Sequence, residues 1–312
     1  MLGRHFHRVI ACFLCPLTAL VPVLFSNCLL SRAFLATPLA ETKITLHEKP
    51  SSPLDLEVGG DLAGTAPNSL RYVTRQDLLS LPQVTYTVTQ DPNFQEPTAI
   101  SGIPLDELSR LLSANPPSDL VIAICNDLYR ATYPRSYINV HRPVLVLLID
   151  GKPPDAWPKD PESQTFSMGP YLISHPHFTP AFKVLSHSDE PQIPWGVVRL
   201  EFRDEQRVFD AIAPKGPHAA DAEVQNGYRI AQQNCFRCHD NGGEGGQKTR
   251  RPWVTLAAFA ALSPDYFAEY VTDPKSKNPR SQMKGFPNYD AATIRALVAY
   301  FRTFAPASPG KS

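Results

Sequence analysis

The feature that most constrains this chain is the pentapeptide Cys-Phe-Arg-Cys-His at residues 235–239. Two thiols separated by two residues can reach neighbouring vinyl groups of one haem, and the histidine that follows can ligate its iron. We therefore predict that Cys235 and Cys238 attach one haem c covalently and that His239 is an axial ligand. A zinc ribbon would need a second ligand pair, and residues 41–312 contain no other cysteine pair. A thioredoxin-like redox pair would need a βαβ context, which the surrounding pattern lacks.

A second axial ligand is expected on the opposite side of the haem. After the first 40 residues the chain contains two methionines, Met168 and Met283. Met283 lies in the stretch NPRSQMKGFP, a loop rich in Pro and Gly between two predicted helices, where a thioether can face the iron. We predict that Met283 is the second axial ligand and that Met168 is structural.

Three predicted helices surround the motif. The first spans 221–234, where Gly227 allows another helix to approach closely. The second spans 263–273 and begins at a proline, which suits a first helical position. The third is capped by Asp290 and carries an apolar stripe at helical spacing. The three helices are expected to enclose one haem.

Over residues 221–304 the chain resembles the class I cytochromes c, because the first helix, the CxxCH motif, the methionine loop and the last helix occur in that order. The resemblance implies an all-α fold and places Pro252 near the proximal imidazole. Lys284 follows Met283 where the family often has proline, a departure that bears on loop rigidity. Iron held by His and Met changes oxidation state without exchanging ligands, which suits electron transfer. The expected partners are redox proteins: a dehydrogenase donor, a high-potential acceptor, or both.

The first two thirds of the chain show a mixed α and β pattern. Thr74 can cap a short helix, a leucine-rich helix follows Pro104, and alternating or continuous apolar runs predict strands at 84–89, 120–125, 144–149 and 198–203. Thirty-two prolines indicate many loops. We predict a multidomain chain with an α+β domain at 41–212, a linker at 213–220 and an all-α domain at 221–306.

Residues 70–205 resemble the molybdopterin-binding domain of the sulfite oxidase family. Two segments carry the likeness: Gly102–Leu105 is similar to the family's G-V-P-L helix start, and Asp127–Tyr129 is similar to its D-G-Y turn. The family's molybdenum-binding cysteine lies upstream of the first of these, and residues 84–101 contain no cysteine. Molybdopterin therefore remains a candidate cofactor that is not favoured.

Several other residues of this domain are of types that bind cofactors. Cys125 lies at the end of an apolar strand, where a small buried thiol is expected rather than a metal ligand. By position in the resemblance, Arg130, His175 and His177 are candidates for anchoring a pterin. The two histidines can equally be loop residues that pack against aromatic side chains.

The N-terminus has the shape of a secretory signal. Two arginines precede a mostly apolar stretch at 9–30, and no acidic residue occurs before Glu41. Cleavage is expected after Ala33 or Ala40, with an uncleaved membrane anchor as the alternative. The prediction is an exported, periplasmic protein.

The balanced charge argues against nucleic acid as a partner, and three functions remain open. The chain has 30 basic and 30 acidic residues, and no basic stripe of the kind that binds nucleic acid. The favoured function is electron transfer, with an N-terminal domain that docks a partner. The second is a molybdopterin enzyme that passes electrons to its own haem, and the third is a haem ligand-binding sensor with an open iron site. Whether the chain is an enzyme stays open.

Overall fold

The computed structural model describes residues 44–113, 118–159, 166–178, 187 and 189–305. These residues belong to one compact unit. The predicted signal peptide or membrane anchor at residues 1–40 lies outside the described residues. Within the described ranges, no helix combines the length and the apolar character needed to cross a membrane.

The sheet domain, residues 44–212, contains nine strands and four α-helices in its described part. Its strands are β1 Leu56–Gly60, β2 Arg71–Val73, β3 Val84–Val88, β4 Thr98–Pro104, β5 Leu120–Cys125, β6 Arg130–Pro134, β7 Val144–Ile149, β8 Tyr171–Ser174 and β9 Trp195–Arg203. Its helices are α1 Arg75–Ser80, α2 Leu105–Leu112, α3 Arg135–His141 and α4 Glu205–Asp210, with a 3₁₀ turn at Pro154–Ala156.

All nine strands belong to one sheet, in the order β2-β1-β9-β8-β7-β4-β3, with β5 paired to both β9 and β6. The pairing of β1 with β9 is parallel, with Glu57 opposite Arg199, and the other pairs are antiparallel. Strand β9 is nine residues long and therefore has room for three partners. Its register with β5 places Leu120 opposite Arg203.

Strand β5 is buried on both faces, which explains its unbroken apolar run. Val121, Ala123 and Cys125 belong to the core of the sheet domain. The alternate residues Leu120, Ile122 and Ile124 pack instead with the core of the helices that follow in the chain. Successive side chains of a strand point to opposite faces, so a strand between two cores carries no polar face. The two domains are joined through this strand.

Local signals predicted several of these elements correctly. Helix α1 begins after Thr74, whose hydroxyl accepts a hydrogen bond from the Asp77 N–H at 3.0 Å. Helix α2 buries four residues on one side, and both predicted apolar strands, β5 and β7, have the predicted bounds. The half-exposed strand predicted at 198–203 extends back to Trp195 as β9.

The helical domain, residues 221–305, contains five helices and one two-stranded ribbon in its described part. They are α5 Ala222–Asn234, β10 Asp240–Asn241, β11 Glu244–Gly245, α6 Trp253–Leu262, α7 Pro264–Thr272, α8 Pro274–Lys277 and α9 Ala291–Arg302. The prediction of three enclosing helices, now α5, α7 and α9, was incomplete because it missed α6. Helix α9 is capped as predicted, since Asp290 accepts a hydrogen bond from the Thr293 N–H at 2.8 Å.

Close contacts hold the helices of this domain together and attach the preceding segment to them. A Cβ added to Gly227 on α5 would lie 2.0 Å from the Ala296 carbonyl oxygen on α9, so the predicted close approach of two helices is confirmed. The segment predicted as a linker, 213–220, also packs on this domain. Its Ala219 carbonyl accepts a hydrogen bond from the Gln225 side chain at 2.7 Å, and the Lys215 ammonium lies 5.6 Å from the centre of the Phe304 ring.

Candidate haem site

The CxxCH motif forms a tight turn at the end of α5. The Cys235 N–H continues the helix by donating to the Ala231 carbonyl at 2.9 Å, and the His239 N–H turns back to the Cys235 carbonyl at 3.1 Å. Cys235 and Cys238 are not joined in a disulfide. Burial raises the pKa of Cys235 to about 12 and also raises the pKa of Cys238. Both cysteines are free, the state in which a sulfur can form a thioether with a haem vinyl group.

His239 is oriented for metal binding by its second ring nitrogen. The imidazole is 8% exposed, and its Nδ1–H donates to the Arg251 carbonyl oxygen at 2.7 Å. Burial lowers the pKa of His239, which favours the neutral ring. A backbone acceptor on one nitrogen fixes the tautomer and leaves Nε2 available to iron. Arg251 precedes Pro252, so the structure agrees with the expectation that this proline lies near the proximal imidazole.

A shell of buried aromatic side chains lies beside the motif. Phe236, Trp253, Tyr300 and Phe301 are each at most 1% exposed and belong to one core. The Trp253 and Phe301 ring centres are 5.0 Å apart. An apolar shell of this kind keeps water from a redox centre and helps to set its potential.

One buried polar atom near this shell, the Tyr289 hydroxyl, has no hydrogen-bond partner in the described part of the chain. An unpaired buried donor costs about 1–3 kcal/mol, so this hydroxyl needs an explanation. A propionate of a bound haem would supply an acceptor. This hydroxyl, the two thiols and the Nε2 of His239 fit a covalent haem.

Met283 lies in the loop between α8 and α9, half-buried against the same core as Cys235. Its N–H donates to the Ser281 hydroxyl at 3.2 Å, and that hydroxyl lies 3.1 Å from the Tyr270 hydroxyl on α7. The loop is thus fastened to a helix next to the methionine. Met168, in contrast, is fully buried in a separate core of the sheet domain, as a structural residue would be.

The candidate residues of the sheet domain do not form a comparable site. Cys125 is buried in β5, and burial raises the pKa of its thiol, as expected for a packing residue. His175 is buried, with its Nε2 at 3.0 Å from the Tyr137 hydroxyl, and burial lowers its pKa to about 3. His177 is exposed. Arg130 instead pairs with Glu244 of the helical domain at 3.8 Å.

Among the described residues no group of three or more His, Cys, Asp or Glu is placed to hold a metal ion. Residues that sequence reasoning missed lie around the haem motif instead. They include the buried Trp253, Tyr289 with its unpaired hydroxyl, and Arg237 inside the motif itself, whose side chain contacts the sheet domain. Helix α6, which carries Trp253, gives no periodic signal in the sequence, because it is apolar on almost every side.

Comparison with known proteins agrees with this geometry. Residues 222–301 match the family described as cytochrome C oxidase, cbb3-type, subunit III. No curated protein matches the sequence. The match supports a c-type cytochrome domain at the C-terminus, which implies haem c.

One solved structure similar to the chain is the crystal structure of the sulfane dehydrogenase SoxCD from Paracoccus pantotrophus. The two are 14% identical, and the similarity covers 51% of this chain and 40% of the SoxCD chain, with a TM-score of 0.30. The chain thus spans less than half the length of that protein. At this TM-score the likeness does not establish a shared fold.

Proposed function

We propose that this chain is an exported, periplasmic electron carrier. One haem c, attached through Cys235 and Cys238 and ligated by His239 and Met283, would carry single electrons. The sheet domain would dock a redox partner. The observation that carries the proposal is the oriented imidazole of His239 beside two unpaired thiols, in a domain that matches a c-type cytochrome family.

Ligation by His and Met is supported by how the two ligand loops are held. The Arg251 carbonyl fixes the His239 ring, and Ser281 and Tyr270 fasten the loop that carries Met283. Ligands on rigid supports need not rearrange when iron gains or loses an electron. A haem in this site supplies one-electron redox chemistry, and thioether ligation raises its reduction potential. The protein contributes position and exclusion of water.

The docking role of the sheet domain is supported by the way β5 joins the two cores. Ile122 is 1% exposed, although it belongs to a strand of the sheet domain, because it packs with the helical domain. A partner seated on the sheet domain would therefore be held at a fixed distance from the haem. Electron transfer benefits from fixed geometry, since a loose tether gives no defined separation.

Metal analysis of the full chain tests the proposal. The protein is purified from a host that makes both haem c and molybdopterin, and iron and molybdenum per chain are measured with the spectrum of both oxidation states. We expect one covalent haem iron per chain, reversible one-electron oxidation and no molybdenum. Replacing Cys235 and Cys238 with Ala should abolish covalent haem, whereas Cys125→Ala, at a buried cysteine outside the motif, should leave it attached.

Two results would contradict this proposal. Molybdenum near one per chain would make the protein a molybdopterin oxidoreductase that passes electrons to its own haem. Haem iron that binds added imidazole or cyanide without losing a protein ligand would make it a sensor with an open site.

A further inference from the structure

The turn that leads from β5 into the first residue of β6, residues 127–130, contacts the haem motif directly. The Arg130 N–H donates to the carbonyl oxygen of Arg237 at 2.9 Å. The Tyr129 hydroxyl accepts a hydrogen bond from Nη1 of the same arginine at 3.1 Å. Arg237 stands between the two attachment cysteines, so both its backbone and its side chain are bonded to the other domain.

The first half of the turn contacts the segment that follows the motif. The Leu128 carbonyl accepts a hydrogen bond from the Gln247 N–H at 3.0 Å. The Asp127 carboxylate pairs with the Lys248 ammonium at 2.5 Å. All four consecutive residues of the turn therefore bond either the haem motif or the loop that leads from it to Arg251, the acceptor for His239.

The turn is itself held in an uncommon conformation. Leu128 has a φ of +67°, in the left-handed region, which costs a residue with a Cβ about 1–2 kcal/mol. Its side chain is 50% exposed, so packing does not explain the conformation. The Leu128 N–H bonds the Cys125 carbonyl and the Tyr129 N–H bonds the Asp127 carboxylate, each at 3.0 Å. Strain kept in place by surrounding bonds is typical of segments that position a functional group.

The guanidinium of Arg237 is fixed on several sides. Its Nε donates to the Gln233 carbonyl, and its Nη2 donates to the Asn234 side-chain oxygen at 2.5 Å. The carboxylate of Glu190 is 3.7 Å away, and the side chain of Arg237 is 17% exposed. An arginine guanidinium is not deprotonated in proteins. The group remains a cation.

We propose that the turn Asp127–Arg130 positions Arg237 beside the haem and thereby raises the reduction potential of the haem. The inference rests on the proposed function, because it requires a covalent haem at Cys235 and Cys238. A fixed, partly buried cation disfavours the ferric form, which carries one more positive charge than the ferrous form. Tyr129 is the positioning residue, and Arg237 supplies the charge.

Redox titration of the purified full-length holoprotein tests the proposal in four variants. Arg237→Gln removes the charge and should lower the reduction potential. Tyr129→Phe keeps the charge but removes one of its fixed partners, and should lower the potential by a smaller amount. Arg237→Lys keeps a cation and should retain most of the wild-type potential. The control is Tyr171→Phe, which removes a hydroxyl that donates to the Leu54 carbonyl inside the sheet domain and should leave the potential unchanged.

The outcomes separate this inference from the proposed function. Wild-type potentials in both Tyr129→Phe and Arg237→Gln would overturn it. A lowered potential in Arg237→Gln with none in Tyr129→Phe would also overturn it, because the turn would then not position the charge. If Arg237→Gln fails to fold, the comparison of reduction potentials between Tyr129→Phe and the control Tyr171→Phe decides the question. A wild-type protein without covalent haem would instead refute the proposed function.

Discussion

Gly227→Ala is expected to destabilise the protein by about 2 kcal/mol or more, although alanine is the better helix former. The new Cβ would lie 2.0 Å from the Ala296 carbonyl oxygen and 2.7 Å from the Tyr300 Cβ on the facing helix. Carbon and oxygen atoms that touch across helices are about 3.3 Å apart, so α5 and α9 would have to separate by roughly 1 Å.

The magnitude follows from two opposing effects. Overpacking a filled core costs about 1–3 kcal/mol, and the upper end applies here because the nearest obstacle is backbone, which has no alternative rotamer. Alanine in a helix interior stabilises the helix by about 1 kcal/mol relative to glycine. The net loss of about 2 kcal/mol corresponds to a thermal midpoint lower by roughly 4–8 °C for a chain of this size.

Thermal unfolding of the holoprotein, followed by far-ultraviolet circular dichroism, measures this loss. Asn226→Ala is the matched control, because Asn226 is the preceding residue on α5 and is exposed. Its free energy of unfolding should stay within about 0.5 kcal/mol of that of the wild type. A Gly227→Ala protein as stable as wild type would refute the claim that α5 and α9 are in backbone contact at this glycine.

Two further predictions concern the iron ligand and the pH dependence of stability. Met283→Ala should leave haem attached but let added imidazole bind the iron, which a shifted absorption spectrum would show. The control Met168→Leu should behave as wild type. An unchanged spectrum in Met283→Ala would rule out thioether ligation. Burial lowers the pKa of His175 to about 3, whereas an unfolded histidine titrates near 6.5. As the pH falls, the unfolded state therefore takes up a proton before the folded state does. The free energy of unfolding should decrease between about pH 6.5 and pH 3. In guanidinium unfolding, the free energy of unfolding should fall by up to about 1.4 kcal/mol per pH unit, and by less in His175→Gln. Equal pH dependence of the unfolding free energy in the two proteins would contradict this account.

Elements with strong local signals could be predicted from the sequence. The Thr74 and Asp290 caps fixed where two helices begin, and the unbroken apolar runs of β5 and β7 fixed those strands. Helix α6 was missed for a physical reason. Its sequence WVTLAAFAAL is apolar on almost every side, so it lacks the polar face by which a helical period is read.

The sequence by itself indicated a c-type cytochrome domain at the C-terminus. The CxxCH spacing brings two thiols and an imidazole together within five residues, and local backbone geometry suffices to hold them so. Met283 could be proposed on similar grounds, because the chain offers few thioethers and only this one lies in a loop of that domain.

Only the tertiary structure decided how the two domains meet. The bonds between the Asp127–Arg130 turn and Arg237 join residues about a hundred positions apart. No local pattern encodes such contacts, because they form only when separately specified surfaces pack. The turn read from sequence as part of a pterin-binding resemblance thus lies against the haem motif.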